Sequence, residues 1–71
     1  MTANHIILNV AAAVLERRDD TGIVAVQKLE GTDFCAAQLL VDHGVARWDE
    51  QCNLVVPEAL LAKVVLAEIK Q

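Results

Sequence analysis

The chain has 71 residues, 55% of them apolar, and ten Asp and Glu against six Lys and Arg give a formal net charge of −4. A chain of this length makes one domain (residues 1–71), and its apolar fraction is far above that of an intrinsically disordered segment. The longest unbroken apolar run is Val10–Leu15, whereas a membrane span needs about 20 residues, so a soluble globular domain with no membrane partner is expected.

In chain order, the first block is Ile6–Leu15, which is nearly all apolar. No Lys or Arg precedes it, and Glu16-Arg17-Arg18-Asp19-Asp20 follows it where a secretion signal would need small residues. It reads instead as a helix of a cytoplasmic protein. Asn4 is placed to cap it from His5 onward, and Ile7, Val10, Ala11 and Val14 recur on one face. Arg17 and Arg18 fall where the negative end of the helix dipole favours cations.

Residues 21–29 admit two readings. Their β-branched content suits a strand. Thr21 as a cap, with Ile23, Val26 and Leu29 at three-residue spacing, suits a short helix, and the helix is preferred. Gly31-Thr32 breaks the chain, and Thr32 or Asp33 can cap a further helix reaching His43, with Phe34, Ala37, Leu40 and Val41 inward. Gly44 is placed to end it in the left-handed conformation.

Val45–Asp49 and Leu54–Val56 bracket the polar stretch Glu50-Gln51-Cys52-Asn53 and predict a β-hairpin. Pro57 suits the first position of a closing helix over residues 57–70, with Leu61, Val64, Val65 and Ile69 as its buried stripe. The fold class expected is therefore α+β and mostly helical, with three to four helices and one short hairpin. Cys35 and Cys52 form no C-x-x-C pair and are too few for a secreted disulfide framework. Both thiols are expected reduced and at least partly buried, a Cys35–Cys52 bridge being the less favoured alternative.

This order of elements resembles a winged helix-turn-helix domain. The resemblance lies in Thr32–Gly44 as the second helix of the turn unit and Val45–Val56 as the wing. It is carried by Leu39-Leu40-Val41-Asp42-His43-Gly44-Val45-Ala46-Arg47-Trp48, and it covers about half the chain. It implies DNA binding, for which the chain's cations supply Arg17, Arg18, Lys28 and Arg47.

The charge distribution opposes that implication. Residues 30–50 hold Glu30, Asp33, Asp42, Asp49 and Glu50 against Arg47 alone, a net −4, while residues 1–29 and 51–71 each sum to zero. A reading helix donates to base edges and needs Lys or Arg around it for phosphates, and the helix over 33–43 has neither. Phosphates would meet repulsion on that face, so direct nucleic-acid binding is disfavoured.

Other chemistry is sparse. Cys35 and His43 are eight residues apart on one helix, about 12 Å by helical rise, and with His5 and Cys52 they lack the close ligand pairs of zinc sites. The chain has no Ser, no glycine-rich phosphate loop and only three Gly. No catalytic residue, metal or cofactor is expected, and the chain reads as a non-enzyme.

Trp48, the one Trp, is expected to cover the hairpin against the first or last helix, or else to anchor a partner, as interfacial Trp and Arg often do. The expectation is a small acidic regulator of transcription, comparable in size to phage-encoded inhibitors. It would bind RNA polymerase or another nucleic-acid-handling machine with a basic or mixed surface, through Asp33, Asp42, Arg47, Trp48, Asp49 and Glu50. The apolar surplus also admits a homodimer.

Overall fold

A computed structural model describes residues 3–70 of the chain. Helix α1 spans Ala3–Leu15, strand β1 Ile23–Val24, a 3-10 turn Val26–Lys28 and helix α2 Thr32–Asp42. Strands β2 (Arg47–Trp48) and β3 (Leu54–Val55) follow, and helix α3 (Ala59–Lys70) closes the order. The fold class is α+β and mostly helical, with three helices and a three-stranded antiparallel sheet among the described residues.

α1 already includes Ala3, so Asn4 lies inside the helix and not at the N-cap position expected for it. The expected face is present but wider: Leu8, Ala11, Val14 and Leu15 are buried, with Ile7 and Val10 packed against them. The helix tightens at its end, where the Arg17 amide bonds the Val14 carbonyl at 3.0 Å. The Arg18 guanidinium donates to the Leu15 carbonyl at 2.6 Å, satisfying an acceptor that the terminus leaves open.

The helix preferred for residues 21–29 does not form. Thr21 caps nothing; its amide and hydroxyl both donate to the Asp19 carboxylate, at 2.8 and 2.6 Å. Ile23 and Val24 pair with Val55 and Leu54, and only Val26–Lys28 turns, as a single 3-10 turn. The pairing with β3 supplies hydrogen bonds that a two-turn isolated helix could not match.

α2 starts at Thr32 with Gly31 flanking it, and Asp33 reaches back to accept the Glu30 amide at 3.0 Å. Asp33, Ala36, Ala37 and Leu40 make its buried face. Phe34, expected inward, is 42% exposed, because at 3.6 residues per turn it falls on the flank of the face made by Asp33, Ala36, Ala37 and Leu40. Gly44 has φ +78°, with its amide bonded to the Val41 carbonyl and that of Val45 to Leu40. This is the glycine-terminated helix end foreseen in the sequence.

The hairpin also forms, though each strand is short. β3 lies in the middle of the sheet, in the order β1-β3-β2, with Arg47 opposite Val55 and Trp48 opposite Leu54. Leu54 and Val56 are buried in the core.

Two loops repeat one design. Asp19 and Asp49 each accept two backbone amides, from Thr21 and Ile23 and from Gln51 and Asn53. Each also bonds by its own amide to the carbonyl of the fifth residue, at 2.9 Å. The fourth residue has positive φ in both, Gly22 at +83° and Cys52 at +65°. A short acceptor side chain followed by a left-handed residue is a turn specification.

α3 begins at Ala59, two residues after Pro57, and the Glu58 carbonyl accepts the Ala62 amide at 3.1 Å. Its buried face is Ala62 and Leu66, with Val65 and Ile69 packed alongside. Leu61 and Val64, expected in that stripe, are 47% and 53% exposed, and Leu60 is 79% exposed. The later start and the apolar residues around the whole helix turn the core-facing stripe by about one position. Cys35 and Cys52 are free and both exposed, contrary to the expected partial burial: Cys35 lies on the outer face of α2 and Cys52 at the hairpin tip.

Candidate functional site

The outer face of α2 and the hairpin make the surface on which most of the sequence-nominated residues meet. Trp48 projects from β2 toward α2, where its indole N–H donates to Gln38 Oε1 at 3.1 Å. Gln38 in turn donates through Nε2 to Asp42 Oδ1 at 2.8 Å. This chain of bonds fixes the Gln38 amide and joins Trp48 to Asp42. The indole is half-buried and covers α2, not the first or last helix as expected.

The turn after β2 places Asp49 and Glu50 beside Arg47 and Trp48. Partial burial works to raise the Asp49 carboxyl. The Asn53 amide and side chain, the Gln51 amide and the Arg47 charge outweigh it and hold the group below the usual carboxylate range. Asp49 therefore keeps its charge but spends its oxygens on the turn. Asp42, Arg47 and Glu50 are exposed, and these, with the rim of Trp48, are what a partner would meet.

Asp33 stands apart and is not available to a partner. It is 8% exposed, at the opposite end of α2 from Asp42, and Arg17 Nη1 binds its Oδ2 at 2.7 Å. That guanidinium foremost, then the Glu30 amide, hold its carboxyl below the usual range. Arg17 also donates to the Lys28 carbonyl at 3.0 Å, tying the end of α1 to the 3-10 turn and to α2. The sequence placed Arg17 just past an apolar helix, at the negative end of its dipole, but gave no signal that it would pair with Asp33, sixteen residues on.

The cations nominated for DNA do not gather on α2. Arg17 and Arg18 are engaged at the end of α1, and Lys28 lies on the 3-10 turn. Arg47 is on β2, across the sheet from β1. The exposed residues of α2 are Thr32, Phe34, Cys35, Gln38 and Asp42, and Gln38 already uses both ends of its amide.

Among the described residues no group of three His, Cys, Asp or Glu could share an ion, and no helix is long and apolar enough to cross a membrane. A recess of about 150 Å³ lies between Gly44–Arg47 and the start of α3, and a groove of about 260 Å³ between α1 and α3. Both are smaller than the ~300 Å³ at which ligand pockets begin. Two wider depressions, of about 540 Å³ between the Asp19 loop and Pro57 and about 500 Å³ over Arg47–Gln51, lie open to solvent. Compared with family models, curated proteins and solved structures, the chain matches none.

Proposed function

We propose that the chain is a small non-enzymatic, cytoplasmic regulator with a winged-helix-like arrangement, which acts by protein contact on a nucleic-acid-handling machine such as RNA polymerase and inhibits or modulates transcription. The observation that carries the preference for protein over DNA is the solvent face of α2, which presents Phe34, Gln38 and Asp42 and no Lys or Arg. A major-groove reader without a cation or a free amide lacks charged phosphate anchors and the bidentate donors that read base edges.

The element order supports the winged-helix-like reading: a helix ended by Gly44, then the hairpin, then a closing helix. Asp42 and Glu50 flank Trp48 and Arg47 and form an acidic rim around an aromatic centre, which suits a partner surface that is basic or mixed. The apolar surplus separately supports a homodimer.

The alternative is a winged-helix DNA binder using Arg17, Arg18, Lys28 and Arg47. One experiment separates the two. The immobilised chain is challenged with purified RNA polymerase and with random-sequence duplex at ~50 mM salt, where phosphate contacts are strongest. Retained polymerase, lost with Asp42→Lys plus Glu50→Lys, and reduced run-off transcript support the proposal. A retained duplex with a steep salt dependence supports the alternative, and retention of neither overturns both.

A further inference from the structure

α3 has two apolar faces. Ala62, Val65, Leu66 and Ile69 face the chain's own core. On the opposite side Leu60, Val64 and Ala67 are exposed, Leu60 by 79% and Val64 by 53%. Their spacing of four and then three residues is that of a coiled-coil seam, with Leu60 and Ala67 as d positions and Val64 as the a position between them. A surface helix ordinarily turns polar side chains outward here.

The residues beside that seam say what covers it. Lys63 occupies the g position and Glu68 the e position of the following heptad, and in a parallel helix pair each g side chain reaches the e side chain five residues on in the other helix. Lys63 of each copy then meets Glu68 of the other, on both sides of the seam. An antiparallel pair sets g against g and e against e, which loses that match.

Lys63 is poised for the contact: its ammonium group lies 3.4 Å from Glu16, and both side chains are largely exposed. In the pair it would lie between two carboxylates. The −4 net charge resides in residues 30–50, so it does not oppose approach along α3. The groove between α1 and α3, lined in part by Ala12, Lys63 and Ala67, widens the contact on one flank.

From these observations we infer that α3 pairs with α3 of a second copy, in parallel about a two-fold axis. The inference is independent of the regulatory reading, which places its partner on the hairpin. The seam is short: twelve residues make about 18 Å of helix, and interfaces below ~1,200 Å² are weak. The dimer therefore depends on concentration.

Sedimentation equilibrium of the purified chain from about 10 µM to 1 mM in 0.15 M salt tests it. The mass is expected to rise from 7.7 kDa toward twice that value. Val64→Asp should stay at monomer mass. Lys63→Glu and Glu68→Lys should each weaken association about tenfold by replacing two attractions with repulsions, and the double exchange should return it to within about threefold of the original. All these positions are exposed, and circular dichroism checks the fold of each variant. A wild-type chain that remains monomeric at 1 mM, or that grows past a dimer, overturns the inference. So does a double exchange that fails to recover.

Discussion

Replacing Gly22 by Ala tests whether the approach of the Asp19 loop to β3 is as close as the geometry requires. Gly22 has φ +83°, and a Cβ built there would lie 2.8 Å from the Val56 carbonyl oxygen. The same carbonyl belongs to the residue whose amide donates to Gly22 at 2.8 Å. Gly44 is the control: its φ is +78°, and nothing lies within 4 Å of its Cβ position.

Left-handed backbone costs a residue with a Cβ about 1–2 kcal/mol, offset by about 0.4–1 kcal/mol of lost unfolded-state freedom. Gly44→Ala should therefore destabilise by about 1 kcal/mol. Gly22→Ala adds the displacement of a backbone carbonyl and the loss of its neighbouring hydrogen bond, for about 2–4 kcal/mol in all. A chain of this size has about 4–10 kcal/mol of stability, so the first variant stays folded and the second approaches its limit. Urea unfolding followed by Trp48 fluorescence measures both, since Trp48 lies on β2 and pairs with β3. Equal destabilisation of the two, within about 0.5 kcal/mol at unchanged m-value, would refute the close-approach argument.

The repeated loop gives a prediction of opposite sign: Cys52→Gly should stabilise by a few tenths to about 1 kcal/mol in the same assay, since Cys52 holds the position Gly22 holds in the first loop. Both thiols should react with a small disulfide reagent in the native chain at rates near those of the unfolded chain, and slow reaction of either would contradict its exposure. Asp19, Asp33 and Asp49 have folded-state values below their unfolded ones. Their stabilisation is therefore complete above the unfolded value, near pH ~4, and is lost as pH falls through the lower folded values; acid unfolding of Asp33→Asn should show a shallower fall over that window. Gln38→Ala removes the indole's acceptor and should red-shift Trp48 emission while costing no more than about 1.5 kcal/mol.

What the sequence disclosed follows the range of the interactions. The end of α2 at Gly44 and the hairpin turn are specified by residues adjacent in the chain, and both form where expected. β1 is specified by β3, some thirty residues away, and Ile23-Val24 alone contain no period that tells strand from helix. α3 misled for another reason: nine of its twelve residues are apolar, so its periodicity marks two faces, and the side meant for the core could not be read from spacing. The burial expected of Cys35 and Phe34 rests on residue-type averages, whereas the face that α2 buries is Asp33, Ala36, Ala37 and Leu40. In the candidate site, the grouping of Arg47–Glu50 was visible because those residues are consecutive, whereas the withdrawal of Asp33 into a pair with Arg17 depends on how α1 meets α2.

The strand order also bears on the sequence of assembly. β3 is the single partner of both β1 and β2, yet it is the last strand in the chain, and Ile23 meets Val55 across 32 positions. During folding, α1 and α2 can dock on each other early, and the Asp19 loop can hold Ile23 locally, but β1 has no strand partner until Leu54 and Val55 arrive. Loop closure on that scale is a slow, entropy-limited event. The same two residues complete the hairpin, so formation of β3 joins the two halves of the chain in one step.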